Sequence, residues 1–388
     1  MGGVAVEWRL ALPLPRPARR SGPAAKRRGR RTSGRAPMNP TRPTPIDEPW
    51  PAEGLESPGR CPLCGEAARQ TLHEDLADRI FFCAPGRWTL HRCGGCGAGY
   101  LDPRPDPASI GLAYAHYYTH TVAAKRRRGV AGNFQRAVAN GYRNARYGTR
   151  QTPASPLGSH LPWLFPARRR AVDREMRFLP PPAPGARLLD IGCGNGEFLA
   201  RARDAGWEGI GVEPDPHAAE AARGRGLKVI EGGLERLDAP DGSFDGITLS
   251  HVIEHLHQPA GTLRRCHRLL RPGGWIWIET PNLESSGHRR YGAAWRGLEP
   301  PRHLVLFTRD SLRGALERCG FDDLEELPWR PLCKRLFTAS AAILHGRDPY
   351  RRQRRGTRLR LAVAHAELLA RLRPERREFI QFRAWKPS

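Results

Sequence analysis

The chain has 388 residues, of which 39% are hydrophobic, and a formal net charge of +25. This length suggests two domains, or one domain with large attachments, and the apolar content is sufficient for a core. No uninterrupted apolar run approaches the roughly 18 residues of a membrane-spanning helix. The short apolar stretch after Arg9 is broken by prolines, unlike a secretory signal. We therefore expect a cytoplasmic protein.

The positive charge is unevenly distributed. Residues 185–330 carry a net charge of −3, whereas residues 1–37 carry +9, residues 38–184 carry +8 and residues 331–388 carry +11. A nucleic-acid-binding protein would be expected to place basic residues beside its chemical motifs, which lie in the acidic stretch. Charged flanks are more typical of solvated tails, so the composition by itself does not favour a polynucleotide partner.

Four parts are predicted along the chain. Residues 1–57 are a basic tail, disordered because residues 1–37 are rich in Arg and Pro and lack hydrophobic periodicity, and the true start could be Met38. Residues 58–102 form a cysteine module. Residues 103–184 form a helical linker that could cap a substrate, and residues 185–388 form an α/β domain with a basic helical insertion at about 330–378.

Two matched Cys-x2-Cys pairs lie in the predicted cysteine module. They are Cys61, Cys64, Cys93 and Cys96, and a glycine follows each pair. In a cytoplasmic protein such pairs favour a metal over disulfides, and four thiolates build a closed tetrahedral zinc site. We predict a structural zinc ribbon, with Cys83 and His91 as the spare ligands.

From Arg187 the pattern repeats strand, glycine loop and helix. Strands are predicted near 187–191, 209–213, 227–231, 244–250 and 274–280, and helices near 196–206, 216–225 and 257–271. A helix near 308–319, a strand near 321–328, an amphipathic helix at Arg358–Arg373 and a final strand at Glu378–Trp385 follow. This alternation predicts an α/β fold with a parallel sheet covered by helices on both faces.

The strongest chemical signal is the glycine loop that follows the first of these strands. Asp190 precedes a Gly-x-Gly-x-Gly loop formed by Gly192, Gly194 and Gly196. The spacing differs from that of dinucleotide binders, and an acidic residue before the loop suits a cationic ligand better than a pyrophosphate. Glu213 ends the next strand, where an acidic residue can accept both hydroxyls of a ribose.

These motifs resemble the class I S-adenosylmethionine-dependent methyltransferases, especially the branch that contains the ubiquinone-biosynthesis O-methyltransferases. The resemblance covers roughly residues 185–328 and is carried by LLDIGCGNGEFL, GIGVEPDP, FDGITLSHVIEHL and LLRPGGWIWIETPN. It implies a Rossmann-like, doubly wound, seven-stranded sheet and S-adenosylmethionine as the cofactor. The implied cofactor-binding residues are Asp190, Gly192, Cys193, Gly194, Gly196, Glu213, Pro214, Gly233, Leu234 and Ser250.

One position departs from the family pattern. After the third strand, relatives often read Gly-Asp, whose carboxylate binds the adenine amino group, but this sequence reads Gly232-Gly233-Leu234. Adenine recognition would then depend on the backbone at Gly233 and Leu234, or on Glu235.

Histidines are the candidate catalytic residues. His251 and His255 follow the fourth strand, and His303 lies in a loop after the fifth that would overhang the cofactor's methyl group. Each could remove a proton from an acceptor, because histidine titrates near neutral pH. Alternatively, His251, Glu254 and His255 could bind a divalent metal, as the resemblance to quinone methyltransferases suggests.

Two enzymatic functions and one non-enzymatic function compete. The first is methyl transfer to an oxygen or carbon nucleophile of a small-molecule, glycan or lipid-linked acceptor. In this case the basic helix at 358–373 could cover the substrate or contact anionic lipid. The second is rRNA or tRNA methylation, with the zinc module and the basic flanks binding RNA. The third, a binding protein with a relic fold, is disfavoured by the intact glycine loop.

Overall fold

A computed structural model describes residues 45–114, 129–328, 332–351 and 356–388. The residues 1–37 that are predicted to be disordered, and the alternative start at Met38, lie outside the described residues. We number the strands and helices below in chain order.

The N-terminal part contains five short strands and is followed by two helices. The strands are β1 (Leu55–Glu56), β2 (Arg69–Leu76), β3 (Trp88–Cys93), β4 (Gly99–Leu101) and β5 (Arg104–Pro105), and the helices are α1 (Val130–Tyr147) and α2 (Pro166–Glu175). β1 pairs with β5, while β2, β3 and β4 form an antiparallel sheet. One cysteine pair precedes the start of β2, and the other begins at the last residue of β3. Because β2 and β3 are antiparallel, both pairs lie at the same end of the sheet.

The C-terminal part alternates strands and helices. Its elements are β6 (Arg187–Ile191), α3 (Glu197–Asp204), β7 (Glu208–Glu213), α4 (Pro216–Arg223), β8 (Lys228–Glu231), β9 (Phe244–Ser250), α5 (Pro259–Leu269), β10 (Leu270–Pro281), α6 (Ser286–Tyr291), β11 (Val305–Leu306), α7 (Arg309–Arg318), β12 (Asp322–Glu326), α8 (Cys333–Leu344), α9 (Thr357–Leu372) and β13 (Phe379–Trp385). Local signals explain several helix starts: Asp215 caps α4 ahead of Pro216, and Thr308 and Ser311 form a capping box at α7.

Seven strands form the central sheet in the order β12-β13-β10-β9-β6-β7-β8. The pairs from β10 to β8 are parallel, and β13 runs antiparallel to both β10 and β12. The order reverses between β6 and β9, and ligands bind at such a reversal beyond the carboxyl ends of the strands. The predicted Rossmann-like fold class is confirmed, and the inserted helices α8 and α9 lie between β12 and β13.

The cysteine module is completed by the catalytic part of the chain. β11, from the loop after β10, pairs antiparallel with β4, so the order of the small sheet is β11-β4-β3-β2. One buried cluster joins Cys61 and Tyr100 of the module to Ile253 and Leu304. The module therefore shares its sheet and core with the large domain, which the sequence did not predict.

Residues 45–57, assigned by sequence to the disordered tail, are ordered. Trp50 is 6% exposed, packs edge-on against Trp88, and donates from Nε1 to the Gly54 carbonyl at 3.2 Å. Burial of this indole and the pairing of β1 outweigh the polar composition of the segment. The helices of the described residues include none that is both long and apolar enough to cross a membrane.

Candidate active site and cysteine cluster

The glycine loop turns sharply between β6 and α3. Gly192, Gly194 and Gly196 have φ angles of +68°, +55° and +73°, a region that L side chains rarely adopt. A Cβ at Gly192 would lie 2.4 Å from Val252 Cγ2, whereas a Cβ at Gly194 would have nothing within 4 Å. The backbone at Gly194 is therefore the part of the loop that a ligand can approach closely.

Glu213 connects the end of β7 to this loop. Its side chain is 6% exposed, and its Oε2 accepts from the Gly194 N–H at 2.7 Å while its Oε1 accepts from the Asp215 N–H at 3.0 Å. The carboxylate thus fixes the glycine loop and the turn after β7 at the same time. It lies where the family's ribose-binding acid is expected.

Asp190 is fully buried at the end of β6. Its Oδ1 binds the Arg177 guanidinium and accepts from Thr248 Oγ1 at 2.9 Å, while its Oδ2 has no hydrogen-bond partner among the described residues. Burial raises the pKa of Asp190, although Arg177 lowers it. A buried carboxylate oxygen without a partner is costly, and a bound cation or amino group would satisfy it.

These features fit S-adenosylmethionine. The open backbone at Gly194, the buried acid Glu213 and the unpartnered Asp190 oxygen suit a cationic ligand that carries a ribose. Of the other predicted residues, Cys193 lies within the loop and is buried, Leu234 is also buried, Pro214 is exposed, and Ser250 ends β9. The Gly233 N–H donates to Glu235 Oε1 at 3.0 Å, so Glu235 must move if adenine is to bind that N–H.

The surroundings of His251 argue against its acting as a proton acceptor. Its Nδ1 lies 3.3 Å from Glu254 Oε1 and its Nε2 lies 2.9 Å from Glu279 Oε1. Burial lowers the pKa of His251, but the hydrogen bonds to the two glutamates outweigh burial and raise the pKa to about 9. At neutral pH the ring is therefore protonated and cannot accept a further proton.

His255 and His303 lie together, with their ring centroids 4.8 Å apart. The Arg302 carbonyl lies 2.9 Å from His255 Nδ1, and the Gly297 carbonyl lies 2.8 Å from His303 Nδ1. Because a carbonyl only accepts, these bonds assign the proton of each neutral ring to Nδ1 and leave Nε2 as the acceptor. His255 is half-buried, whereas His303 is 5% exposed, so His255 is the more accessible acceptor.

A possible metal-binding group also involves His303. Glu254, His255 and His303 each offer a ligand atom within 4.8 Å of the others. The predicted trio of His251, Glu254 and His255 is therefore replaced by one in which His303 takes the place of His251. His251 is excluded because both of its ring nitrogens face glutamates.

Acid should destabilise the protein through His303. Burial lowers its pKa to about 4, more than Glu299 raises it. The unfolded state binds a proton near pH 6.5 and the folded state does not, so the stability that His303 confers falls as the pH drops from 6.5 towards 4. The free energy of unfolding should drop by about 2 kcal/mol more between pH 7 and pH 5 in the wild type than in His303→Asn.

Urea denaturation at the two pH values measures this difference. Groups that titrate equally in both proteins cancel from it. Equal pH dependence in wild type and His303→Asn would show that folding does not shift the pKa of His303.

The four predicted zinc ligands meet at one point. Cys61 Sγ lies 3.7 Å from Cys96 Sγ, and Cys64 Sγ lies 3.5 Å from Cys93 Sγ. A tetrahedral centre with zinc–sulfur bonds of about 2.3 Å has edges of roughly 3.8 Å, so these spacings fit zinc. The Cys96 N–H also points at Cys93 Sγ at 3.4 Å, as in metal-binding knuckles. The spare ligands Cys83 and His91 do not join this cluster.

A buried ion pair connects the cysteine module to the histidines. Arg302, which is 0% exposed, donates from Nη2 to Asp78 Oδ1 at 2.5 Å and from Nη1 to the Ala113 carbonyl at 2.9 Å. Its own carbonyl accepts from His255. Tyr114 Oη also lies 3.1 Å from His255 Nδ1. The module thus fixes the backbone that orients His255.

Sequence reasoning missed three residues of the site: Arg174, Arg177 and Glu279. Arg174 of α2 and Gln381 of β13 both bind Glu279, which is fully buried in β10. Burial would raise the pKa of Glu279, but His251 and Arg174 lower it to about 2. A signal existed for Glu279, a lone acid in an otherwise apolar strand. The two arginines stand among many others in the linker and carried no signal.

Comparisons with known proteins agree with this geometry. A family model described as a methyltransferase domain matches residues 165–326. A ubiquinone biosynthesis O-methyltransferase of Thiobacillus denitrificans is 31% identical over 135 residues, which are 32% of this chain and 55% of that protein. One of Cereibacter sphaeroides is 32% identical over 168 residues, which are 39% of this chain and 66% of that protein.

The chain thus spans between about half and two thirds of the length of these relatives. Among solved structures, it is similar to a SAM-dependent methyltransferase from Archaeoglobus fulgidus, with 25% identity and a TM-score of 0.41 over 58% of this chain and 99% of that one. The family match covers the segment that holds the glycine loop, Glu213 and Asp190. Residues 165–326 therefore form an S-adenosylmethionine-dependent methyltransferase domain of class I.

Proposed function

We propose that the protein transfers a methyl group from S-adenosylmethionine to an oxygen or carbon nucleophile of a small-molecule, glycan or lipid-linked acceptor. The observation that carries this proposal is the half-buried His255, which lies five residues after the carboxyl end of β9 and whose Nε2 is left as an acceptor. The relatives named as ubiquinone biosynthesis O-methyltransferases support oxygen as the nucleophile. The cofactor supplies a methyl group already activated by its sulfonium.

The residues of this chain then have separate roles. Glu213 and the glycine loop hold the cofactor, and His255 takes the acceptor's proton on Nε2 as the nucleophile attacks the methyl carbon. The Arg302 carbonyl holds the opposite side of the ring and so fixes its tautomer. The positive charge that forms on His255 is stabilised by the nearby Glu254, whose carboxylate is fully buried.

The experiment that tests this function measures transfer of a labelled methyl group to panels of phenolic, sugar and polyprenylated acceptors. We expect transfer to at least one panel, reduced by about 10²- to 10⁴-fold in His255→Ala. The control is His217→Ala, an exposed histidine of α4. Transfer to RNA alone would replace the small-molecule proposal with RNA methylation. Loss of activity with chelator, restored by Mg²⁺, would assign Glu254, His255 and His303 to a metal.

We also propose that the four cysteines hold one structural zinc ion. Four thiolates leave no open position on the metal, so its contribution is to folding rather than to the reaction. Zinc analysis should give one ion per chain, and Cys64→Ser should reduce this content because Cys64 is one of the four ligands. Since the module shares β11 and the core cluster with the large domain, metal removal should also lower the melting temperature.

The matched control for Cys64→Ser is Cys319→Ser, which changes a partly exposed thiol outside the cluster. It should retain the zinc. Zinc content that is unchanged in Cys64→Ser would contradict the four-thiolate site.

A further inference from the structure

An exposed apolar tip lies between α1 and α2. We use this name for residues 161–165, which read Leu-Pro-Trp-Leu-Phe. Trp163 is 59% exposed, Leu164 is 76% exposed and Phe165 is 47% exposed, while Pro162 is buried beneath them. Neighbouring large apolar side chains in solvent are uncommon in a soluble domain and indicate a contact surface.

The segment that precedes the tip packs closely on α1. It is tied to that helix by the Ser155 N–H, which donates to the Ala137 carbonyl at 2.9 Å, and by Asn140 Nδ2, which donates to the Pro153 carbonyl at 2.9 Å. Gly158 lies so close that a Cβ there would be 2.4 Å from the Tyr142 nitrogen. The tip is therefore exposed next to a segment that is itself packed against α1.

The sequence from residue 107 to residue 172, which contains the tip, carries charge of one sign. Residues 107–172 contain eleven Lys and Arg residues and neither Asp nor Glu. Three of the arginines, at 168–170, follow the tip after two intervening residues. The Arg169 guanidinium lies 4.1 Å from the Trp163 ring centroid, and that of Arg168 lies 5.5 Å from the Phe165 ring centroid. The positive groups thus lie beside the apolar ones.

The tip is also close to the proposed active site. Helix α2 begins at Pro166, next to the tip, and its residue Arg174 binds Glu279 at the carboxyl end of β10. Eight residues of α-helix span about 12 Å. A surface that contacts the tip would therefore lie within roughly two helical turns of the network that holds His251.

We propose that the apolar tip docks the protein on an anionic lipid surface. Trp, Leu and Phe enter the boundary between headgroups and acyl chains, and Arg168, Arg169 and Arg170 pair with lipid phosphates. An exposed leucine in the middle of the tip favours acyl chains, because bases stack on aromatic rings and not on leucine. The inference goes beyond the proposed function and, if both hold, favours a lipid-borne acceptor.

The proposed surface differs from the one predicted from sequence. Helix α9 also exposes leucines, with Leu361 at 65%, Leu368 at 53% and Leu372 at 70%. It lacks aromatic residues and carries Glu367. Because Trp is enriched at membrane interfaces, we assign the contact to the tip, and α9 supplies the matched control.

Co-sedimentation with vesicles tests this assignment without any turnover, so its failure is distinguishable from failure of the methyltransferase assay. The zinc-loaded full chain is mixed with vesicles of phosphatidylcholine and phosphatidylglycerol in a 7:3 ratio. We expect binding that falls at least tenfold in the double variant Trp163→Ser/Leu164→Ser. The control variant Leu361→Ser/Leu368→Ser should bind the vesicles as the wild type does. For each variant, an unchanged affinity for S-adenosylhomocysteine shows that the protein is folded.

Three outcomes would overturn the proposal. The wild type could fail to bind these vesicles, the tip variant could bind as tightly as the wild type, or the loss could appear only in the α9 variant. Equal binding to vesicles of phosphatidylcholine alone would remove the anionic requirement. Competition by single-stranded RNA at lower concentration than by lipid would assign the surface to RNA instead.

Discussion

Replacing Glu213 with alanine should lower the affinity for S-adenosylhomocysteine by about 100-fold or more. The buried carboxylate accepts from the Gly194 and Asp215 N–H groups, so its removal leaves both donors unpaired and releases the loop. Hydrogen bonds to a charged group contribute about 1.5–3 kcal/mol each, and 2.7 kcal/mol corresponds to roughly 100-fold. Titration calorimetry on the purified protein measures the change directly.

Two further variants make the Glu213 result specific. Glu213→Gln keeps one accepting oxygen and should retain more affinity than alanine. Glu220→Ala removes an exposed carboxylate from α4, just after the same strand, and should bind as the wild type does. Equal affinity in wild type and Glu213→Ala would show that the acid does not contact the cofactor, and would remove the main support for this site.

Local patterns were sufficient to predict the sheet. β6 and β9 occupy 187–191 and 244–250, the ranges expected from their apolar runs, because a strand buried on both faces leaves an uninterrupted hydrophobic signal. The glycine loop was equally readable, since the positive φ angles of Gly192, Gly194 and Gly196 require that residue type. The cysteine pairs were readable because ligand spacing within a knuckle is local.

Long-range partners could not be predicted. The Arg177–Asp190 pair depends on how the linker packs against β6, and one sequence gives no indication of which of many arginines lies there. The same holds for β11: two residues of a loop complete a sheet whose other strands lie about 200 positions earlier. The surroundings of His251 could not be predicted for the same reason, because Glu279 of the distant strand β10 lies 2.9 Å from its Nε2.

Breaking the Asp78–Arg302 pair should destabilise the protein by about 3–5 kcal/mol, because it leaves a fully buried guanidinium without one of its counter-charges. Asp78 also accepts from the N–H groups of Phe81, Cys83 and Ala84, so the pair holds the β2–β3 loop of the cysteine module against the large domain. Burial raises the pKa of Asp78, but Arg302 and these donors lower it, so Asp78 is ionised. Denaturant unfolding of Asp78→Asn measures the loss.

The comparison that isolates burial is Glu231→Gln, which breaks the exposed pair between Arg223 and Glu231 at 3.3 Å. It should cost less than about 1 kcal/mol, because solvent screens that pair. Adding Arg302→Met to Asp78→Asn should recover part of the stability, since no unpaired charge then remains in the core.

Asp78→Asn should also lower methyl transfer more than cofactor affinity, because Arg302 orients His255 while Glu213 and the glycine loop are untouched. A loss no larger than that of Glu231→Gln would mean that Glu299, 3.3 Å from Arg302 Nε, is a sufficient partner for Arg302.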